Sequence, residues 1–302
     1  MTKKISKKNY FYSMSKDNKS TLTVNLGDTV EIETHDCFTD QIKDEKLENF
    51  NGLDWERVNP ATGPIYIEGI KTGDILKVTI NTIDISKTGV MVSGPGLGVM
   101  KDHLSETTIR IFDIDEEAHS VNFKGFEVPI NKMIGVMGVA PENEAINNGT
   151  PDTHGGNMDS VKVTEGATIY FPVYHDGALF GLGDLHAAMA NGEISVTGLE
   201  VAGSVNVTLE KAENVQTNHP FLVDKDGAYV FVSHEDLNEA VDQSVIEMIN
   251  MLEDKVSLTK EELTMLMSLI GQTEINQVVD PKKTARFKVP TYFLEHYNIQ
   301  FK

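Results

Sequence analysis

The sequence predicts a mainly β protein: a β-sandwich or β-barrel body with a C-terminal α+β portion. Short apolar runs with partial alternation recur through the first two thirds, at Leu22 to Val24, Thr29 to Thr34, Ile65 to Ile67 and Ile75 to Ile85. Gly27-Asp28 and Gly73-Asp74 punctuate them as turns, so NLGDTVEIET at 25–34 and KTGDILKVTI at 71–80 read as similar turn-and-strand units. TEGATIYFPV at 164–173 is a third. Their irregular spacing fits hairpin edges of a sandwich or barrel and not a solenoid.

Met133 to Ala140 has the length of a buried strand. Gly89 to Gly98 is a Gly-rich loop without the Lys-Ser/Thr ending that phosphate loops need. Pro141 to Asn157 is a loop long enough for a lid or site wall. Beyond about His219-Pro220 the period becomes helical. Ser233 followed by Asp236 reads as a capped start, and Leu237, Val241, Val245, Met248 and Leu252 recur at helical spacing. Thr259 with Glu262 marks a second start, before Leu263, Leu266, Met267 and Ile270. Val278-Val279 and Ala285 to Val289 read as strands. The expected organisation is a β-rich catalytic body over 1–220, divisible near 150 into two β subdomains (1–150 and 151–220), completed by an α+β portion over 221–302.

The chain has 302 residues, 26 basic and 46 acidic, for a net charge of -20. A negative surface opposes sequence-independent binding to nucleic acid. The basic start Lys3, Lys4, Lys7 and Lys8 runs into Asn9, Tyr10, Phe11 and Tyr12, not into the apolar core of a signal peptide. No apolar run approaches membrane-spanning length, so no membrane partner is expected. The one cysteine, Cys37, excludes an intrachain disulfide and points to a reducing, cytoplasmic compartment.

Three acid-and-imidazole clusters carry the chemistry. His35-Asp36 follows the strand Val30 to Thr34. THGGNMD at 153–159 sets His154 beside Gly155 and Gly156, with Asn157 and Asp159 adding oxygens. HDGALFGLGDLHAAMANGEISVTGLE at 175–200 holds the third. There Asp184 and His186 share a face if Ala178 to His186 is extended. Glu193 follows an Asn191-Gly192 turn, and Glu200 lies on the returning strand. Clusters at strand ends can converge. Histidine and carboxylate ligands without thiolate suit Zn²⁺, with Mn²⁺ or Fe²⁺ as alternatives. A purely structural role for these groups is the competing reading.

In this order, THDCF at 34–38, GPIYIEGIKTGDILKVTI at 63–80, HGGNMD at 154–159 and GALFGLGDLHAAMANGE at 177–193, ending with Glu200, resemble the acetamidase/formamidase family. Met189 departs from the glutamine expected after His-Ala-Ala. The resemblance implies a β-sandwich and barrel body, a homodimer, a divalent metal, and hydrolysis of formamide and acetamide to ammonia and a carboxylate. Amide hydrolysis needs an activated water, charge relief on the carbonyl oxygen and a proton for nitrogen. The candidate metal set is His35, Asp36, His154, Asp184 and His186, holding Zn²⁺, with Ca²⁺ as the alternative occupant of a second site. Glu193, Glu200 and Asp36 are the candidate bases, and Gly155 and Gly156 the candidate oxyanion donors. Gly177, Ala178, Gly181 and Gly183, bounded by Leu179, Phe180, Leu182 and Met189, suggest a close-walled pocket. Two rival functions stay open: hydrolysis of another non-peptide C–N bond, and a non-catalytic β-rich binding protein. No Gly-x-Ser-x-Gly elbow supports a serine route.

Overall fold

The computed structural model describes residues 2–115 and 117–302. Among them the strands form a nine-stranded sheet, an eleven-stranded sheet and a two-stranded pair. From edge to edge the first runs Lys3–Ile5, Thr29–Thr34, Gly203–Lys211, Ile75–Ile85, Thr168–Pro172, Phe221–Asp224, Gly227–His234, Lys283–Pro290 and Gln272–Gln277. The second runs Phe126–Pro129, Ser120–Phe123, Thr108–Asp115, Thr88–Ser93, Glu200–Val201, Phe180–His186, Met133–Gly138 and Gly155–Asn157. Ala61–Glu68 branches from Phe180–His186 and carries Tyr10–Phe11 and Leu22–Asn25. The architecture is predominantly β with a C-terminal α+β segment, as the alternating runs predict.

Period-two alternation decides what each face buries. Ile32, Val78, Ile80, Phe171 and Val207 of the nine-stranded sheet meet Ile134, Phe180, Leu182 and Leu185 of the other in one core between the sheets. On the opposite face Tyr170, Phe221, Val230, Val232 and Phe287 pack against Met248, Leu252, Leu263 and Met267 of two helices. Gly227–His234 therefore reads as continuously apolar: Tyr229 and Phe231 enter the first core, Val230 and Val232 the second.

The helices are Leu237–Leu252 and Lys260–Ile270. Thr259 and Glu262 form the expected capping box. The first helix starts later than Ser233 suggests. Asp236 is its cap, accepting from the Asn238 amide, while Ser233 stays in the ladder with its hydroxyl 2.9 Å from that of Thr284. Val278 and Val279 are not a strand. Gln277 Oε1 accepts from the Val279 and Asp280 amides at 2.9 and 3.0 Å and closes a turn there. The 141–157 loop contains the short strands Ile146–Asn147 and Gly155–Asn157, the latter wholly buried. No helix among the described residues is long and apolar enough to cross a membrane.

Gly183 pairs with Ala61 where the branch joins. A Cβ there would overlap the Pro60 carbonyl oxygen and lie 3.1 Å from Ala61 Cα. Backbone cannot yield as a side chain can. Gly183→Ala is expected to lower unfolding free energy by roughly 1–3 kcal/mol, the usual cost of overpacking. Urea titration measures this, and an unchanged midpoint would show that the junction opens freely.

Candidate functional site

The site is made on strand Phe180–His186. One edge of this strand pairs with Met133–Gly138. The other is divided: residues 180–183 pair with Ala61–Glu68, and residues 185–186 with Glu200–Val201. Asp184 stands at the changeover with a left-handed φ of 58°. Ala178 and Leu179 are left-handed too, so uniform extension is not what gathers the side chains. A local twist at Asp184 does so, together with the register that sets His186 opposite Glu200.

His186 Nε2 lies 3.1 Å from Glu200 Oε2, 3.5 Å from Asp184 Oδ1 and 4.0 Å from Asp159 Oδ1. Two groups of potential ligand atoms each fall within 4.8 Å of one another: Cys37, Asp184 and Glu200, and Asp159, His186 and Glu193. Asp280 joins from the C-terminal turn, accepting from Asn157 Nδ2 at 3.0 Å. All of these side chains except Asp280 are at most 7% exposed. Asp159 and Glu193, like Asp184, are left-handed, with φ of 41° and 44°. Such angles are uncommon outside glycine and persist only where the surroundings impose them.

Glycines make the room. A Cβ on Gly135 would overlap Asp159 Oδ1 and lie 2.6 Å from Asp184 Oδ2. One on Gly198 would lie 2.5 Å from His186 Nδ1. Neither position is left-handed, so space and not backbone angle calls for glycine.

The charge balance is extreme. Burial, then the nearby Glu193 and Asp184, push the Asp159 carboxyl well above its ordinary range. Burial, then Asp159, does the same to Asp280, and burial lifts Glu193 to about 8. Burial also raises Glu200. Burial alone would lower the His186 imidazole, but Glu200 and Asp184 hold it well above its ordinary value. Both Asp159 oxygens, Asp184 Oδ1, Glu200 Oε2 and both His186 nitrogens are buried without a hydrogen-bond partner. The 3.1 Å approach of His186 to Glu200 therefore lacks hydrogen-bond alignment. Orphaned buried atoms of this kind are costly. Carboxylates, an imidazole and a thiol converging on one place fit a divalent cation. Cys37 is no activated nucleophile: burial, then Glu200, raises its thiol further.

Of the residues the sequence singles out, Asp184, His186, Glu193 and Glu200 come together. Neither ligand group includes His35, Asp36 or His154. His35 pairs elsewhere, with Nδ1 2.6 Å from Asp40 Oδ2. Asp36 accepts from the Asp40 amide at 2.8 Å and lines a neighbouring cavity that it shares with Glu200. His154 is buried with both ring nitrogens unpartnered, and burial lowers its pKa to about 4. The Gly155 amide is engaged by the Asp152 carbonyl at 3.0 Å, and Gly156 pairs with Met137 in the ladder. Asp159 joins the cluster as more than an auxiliary oxygen. Asp280 and Gly135 are the residues sequence reasoning misses. A glycine inside the apolar run MIGVMG is the signal for Gly135; Asp280 has none.

A cavity of about 180 Å³ opens onto this cluster. Asp184, Glu193, Glu200 and Asp280 line its buried end, and Phe38, Phe50, Trp55 and Leu97 are among its apolar walls. Of residues 177–189 only Asp184 lines it. Gly177 packs on Tyr66, Gly181 on Phe11, Phe180 and Leu182 lie in the core, and Met189 lines another groove.

Fold and site together define a two-sheet β protein with a buried carboxylate–imidazole centre. The chain belongs to the Acetamidase/Formamidase family, whose model matches residues 3–150 and 143–296. It is similar to the crystal structure of a predicted acetamidase/formamidase from Thermoanaerobacter tengcongensis, at 42% identity and a TM-score of 0.96, covering 100% of this chain and 99% of that one. An acetamidase from Bacillus halodurans matches at 40% identity and 0.94, covering 97% and 99%. The formamidase of Methylophilus methylotrophus is 26% identical over 246 residues, 61% of this chain and 59% of that protein. The chain spans about three fifths of the length of the curated relatives it matches.

Gly135→Ala separates the site from the scaffold. The added methyl must displace Asp159 or Asp184. The expected outcome is loss of bound divalent metal, read by elemental analysis, with the far-ultraviolet circular dichroism of the parent. Full metal content in the variant would show that these two carboxylates do not hold it.

Proposed function

We propose that the protein hydrolyses short aliphatic amides, formamide and acetamide, to ammonia and a carboxylate, with the help of a bound divalent cation. The observation that carries this reading is the set of unpartnered, buried carboxylate and imidazole atoms next to a 180 Å³ cavity, which Asp184, Glu193 and Glu200 line directly. A binding or scaffold protein has no need to sequester so many acidic groups. Perturbed groups in a cleft favour a catalytic role. Family membership and the amidase names of its relatives support the amide class.

Asp159, Asp184, His186 and Glu200 are the residues that would hold the cation, with Cys37 and Glu193 beside them. An imidazole and a thiol among the donors favour Zn²⁺ over Ca²⁺, which prefers all-oxygen sites. When bound, such a cation lowers the pKa of water and polarises a carbonyl. The chain's own groups supply the rest. Phe38, Phe50, Trp55 and Leu97 receive the acyl group and exclude water. Asn157 Nδ2 orients Asp280. Glu193 takes the proton from the attacking water on a carboxylate oxygen and returns it to the departing nitrogen, which leaves as ammonia. Glu200, opposite His186 in the ladder, brings its carboxylate to 3.1 Å from the imidazole, within reach of the same cation. The lone cysteine supports a cytoplasmic location, and the family resemblance a two-fold homodimer, the commonest closed assembly.

Ammonia release from formamide, acetamide, propionamide and butyramide, with and without chelation, tests the reading. Efficiency is expected to peak at one- or two-carbon amides, fall by butyramide and vanish on chelation. A flat panel from protein carrying its metal would overturn it. In a second experiment Glu193→Gln is expected to lower kcat by roughly 10²–10⁴-fold with metal content unchanged. Activity within a few-fold of the parent would move the proton-carrying role to Glu200 or Asp36, and lost metal would make Glu193 chiefly a ligand.

A further inference from the structure

Arg286 is 1% exposed and is the only buried lysine or arginine among the described residues. It lies in strand Lys283–Pro290, next to the edge strand Gln272–Gln277. Burying a guanidinium is costly, and its ion pair with Glu274, at 2.6 Å, is weak evidence of a gain in stability. Its other bonds reach elsewhere. Nη1 donates to Asn276 Oδ1 and, at 3.2 Å, to Ser160 Oγ. Nη2 donates to Asn191 Oδ1 at 3.2 Å. Ser160 follows Asp159, and Asn191 lies two residues before Glu193.

Asn276 extends the same network. Its Nδ2 donates to the Met158 carbonyl at 3.2 Å, and its carbonyl accepts from the Gly192 amide at 2.6 Å. The Val278 amide returns a bond to the Gly192 carbonyl at 3.2 Å. One planar fork thus ties together the two turns that carry left-handed Asp159 and Glu193. Neither backbone angle is favourable unaided. A lysine, a compact point charge, cannot serve these separate acceptors at once.

We propose that Arg286 is a positioning residue: it fixes the 158–160 and 190–193 turns so that Asp159 and Glu193 face the site. The proposal rests on the functional reading above for its kinetic consequence and on geometry alone for its structural one.

Both arms are measurable in the metal-loaded 302-residue chain. Arg286→Lys is expected to lower kcat by about 10- to 100-fold, as small misplacements of reacting groups do, with KM nearly unchanged. In the Glu193→Gln background the same change is expected to cost less than about twofold further, because residues acting as a unit are not additive. An equal loss in both backgrounds would overturn the Glu193 arm. Hydrogen exchange decides the structural arm without reference to any substrate. Arg286→Lys should speed exchange in the 158–160 and 190–193 segments and leave the two sheets at parental rates. A uniform increase throughout the chain would mean a merely structural arginine and overturn the proposal. Should Arg286→Lys fail to fold, Asn191→Ala removes only the arm to the Glu193 turn. It must then show both the kcat loss and local exchange at 190–193; parental values for both would refute the idea. Failure of every amide as a substrate would remove the functional reading while the exchange result still stands or falls by itself.

Discussion

Keeping acidic groups together, out of water, is the constraint on which the rest of the molecule depends. Asp159, Asp184, Glu193 and Glu200 are buried around one imidazole, with Asp280 beside them. An unpaired buried ion costs several kcal/mol even after the protein relaxes. Carboxylates free to move would separate, take up protons or turn outward. They are held because each rides on a rigid piece of backbone whose own energy is settled elsewhere. The ladder fixes His186 against Glu200, and Met133–Gly138 braces the strand behind them. The apolar cores on both faces of the nine-stranded sheet offset the cost of this arrangement. A divalent cation held there would reverse its sign, because the mutual repulsion of the acidic groups would then favour the ligand.

Two kinds of local exception follow from that constraint. Side chains must enter one small volume from several elements, so some residues must leave ordinary backbone angles. Asp159, Asp184 and Glu193 do so. Other residues must have no side chain at all. Gly135 leaves space for two carboxylates, and Gly198 for the imidazole. These residues spoil the regularity of the strands that contain them. The fold accepts the irregularity where Phe180–His186 passes from one pairing partner to the next, since a changeover in pairing is already a break in the ladder.

How much of this is legible in the sequence depends on whether a feature is local. Alternation at 29–34 and 75–85, the Thr259–Glu262 box and the helical period after Leu237 each report a local preference, and each appears in the fold. Asp184, His186, Glu193 and Glu200 are legible because one hairpin-like stretch carries them all. His35 and His154 show the limit. His35 sits beside Asp36 and His154 beside Gly155 and Gly156, yet His35 pairs with Asp40 and neither imidazole belongs to a ligand group. Proximity along the chain does not fix which way a ring turns. The pocket walls fail for the same reason: Phe50, Trp55 and Leu97 arrive from segments remote from residues 177–189. Asp280 has no local signature because only the Gln277-capped turn and its docking against Asn157 bring it near.

That last residue changes what the C-terminal unit is for. Helices packed on the outer face of a sheet look like a cover for apolar surface, and Met248, Leu252, Leu263 and Met267 do provide one. The strands beneath them do more. Gln272–Gln277 and Lys283–Pro290 extend the large sheet and, at their connecting turn, lend Asp280 to the cavity. Through Asn276 and Arg286 they also hold the loops that bear Asp159 and Glu193. The charged end of the pocket is therefore complete only when strands from residues 272–290 have joined a sheet whose far edge is Lys3–Ile5. An arrangement too repulsive to form by local preference is assembled by long-range pairing, and the residues that supply its chemistry are spread along the chain as a consequence.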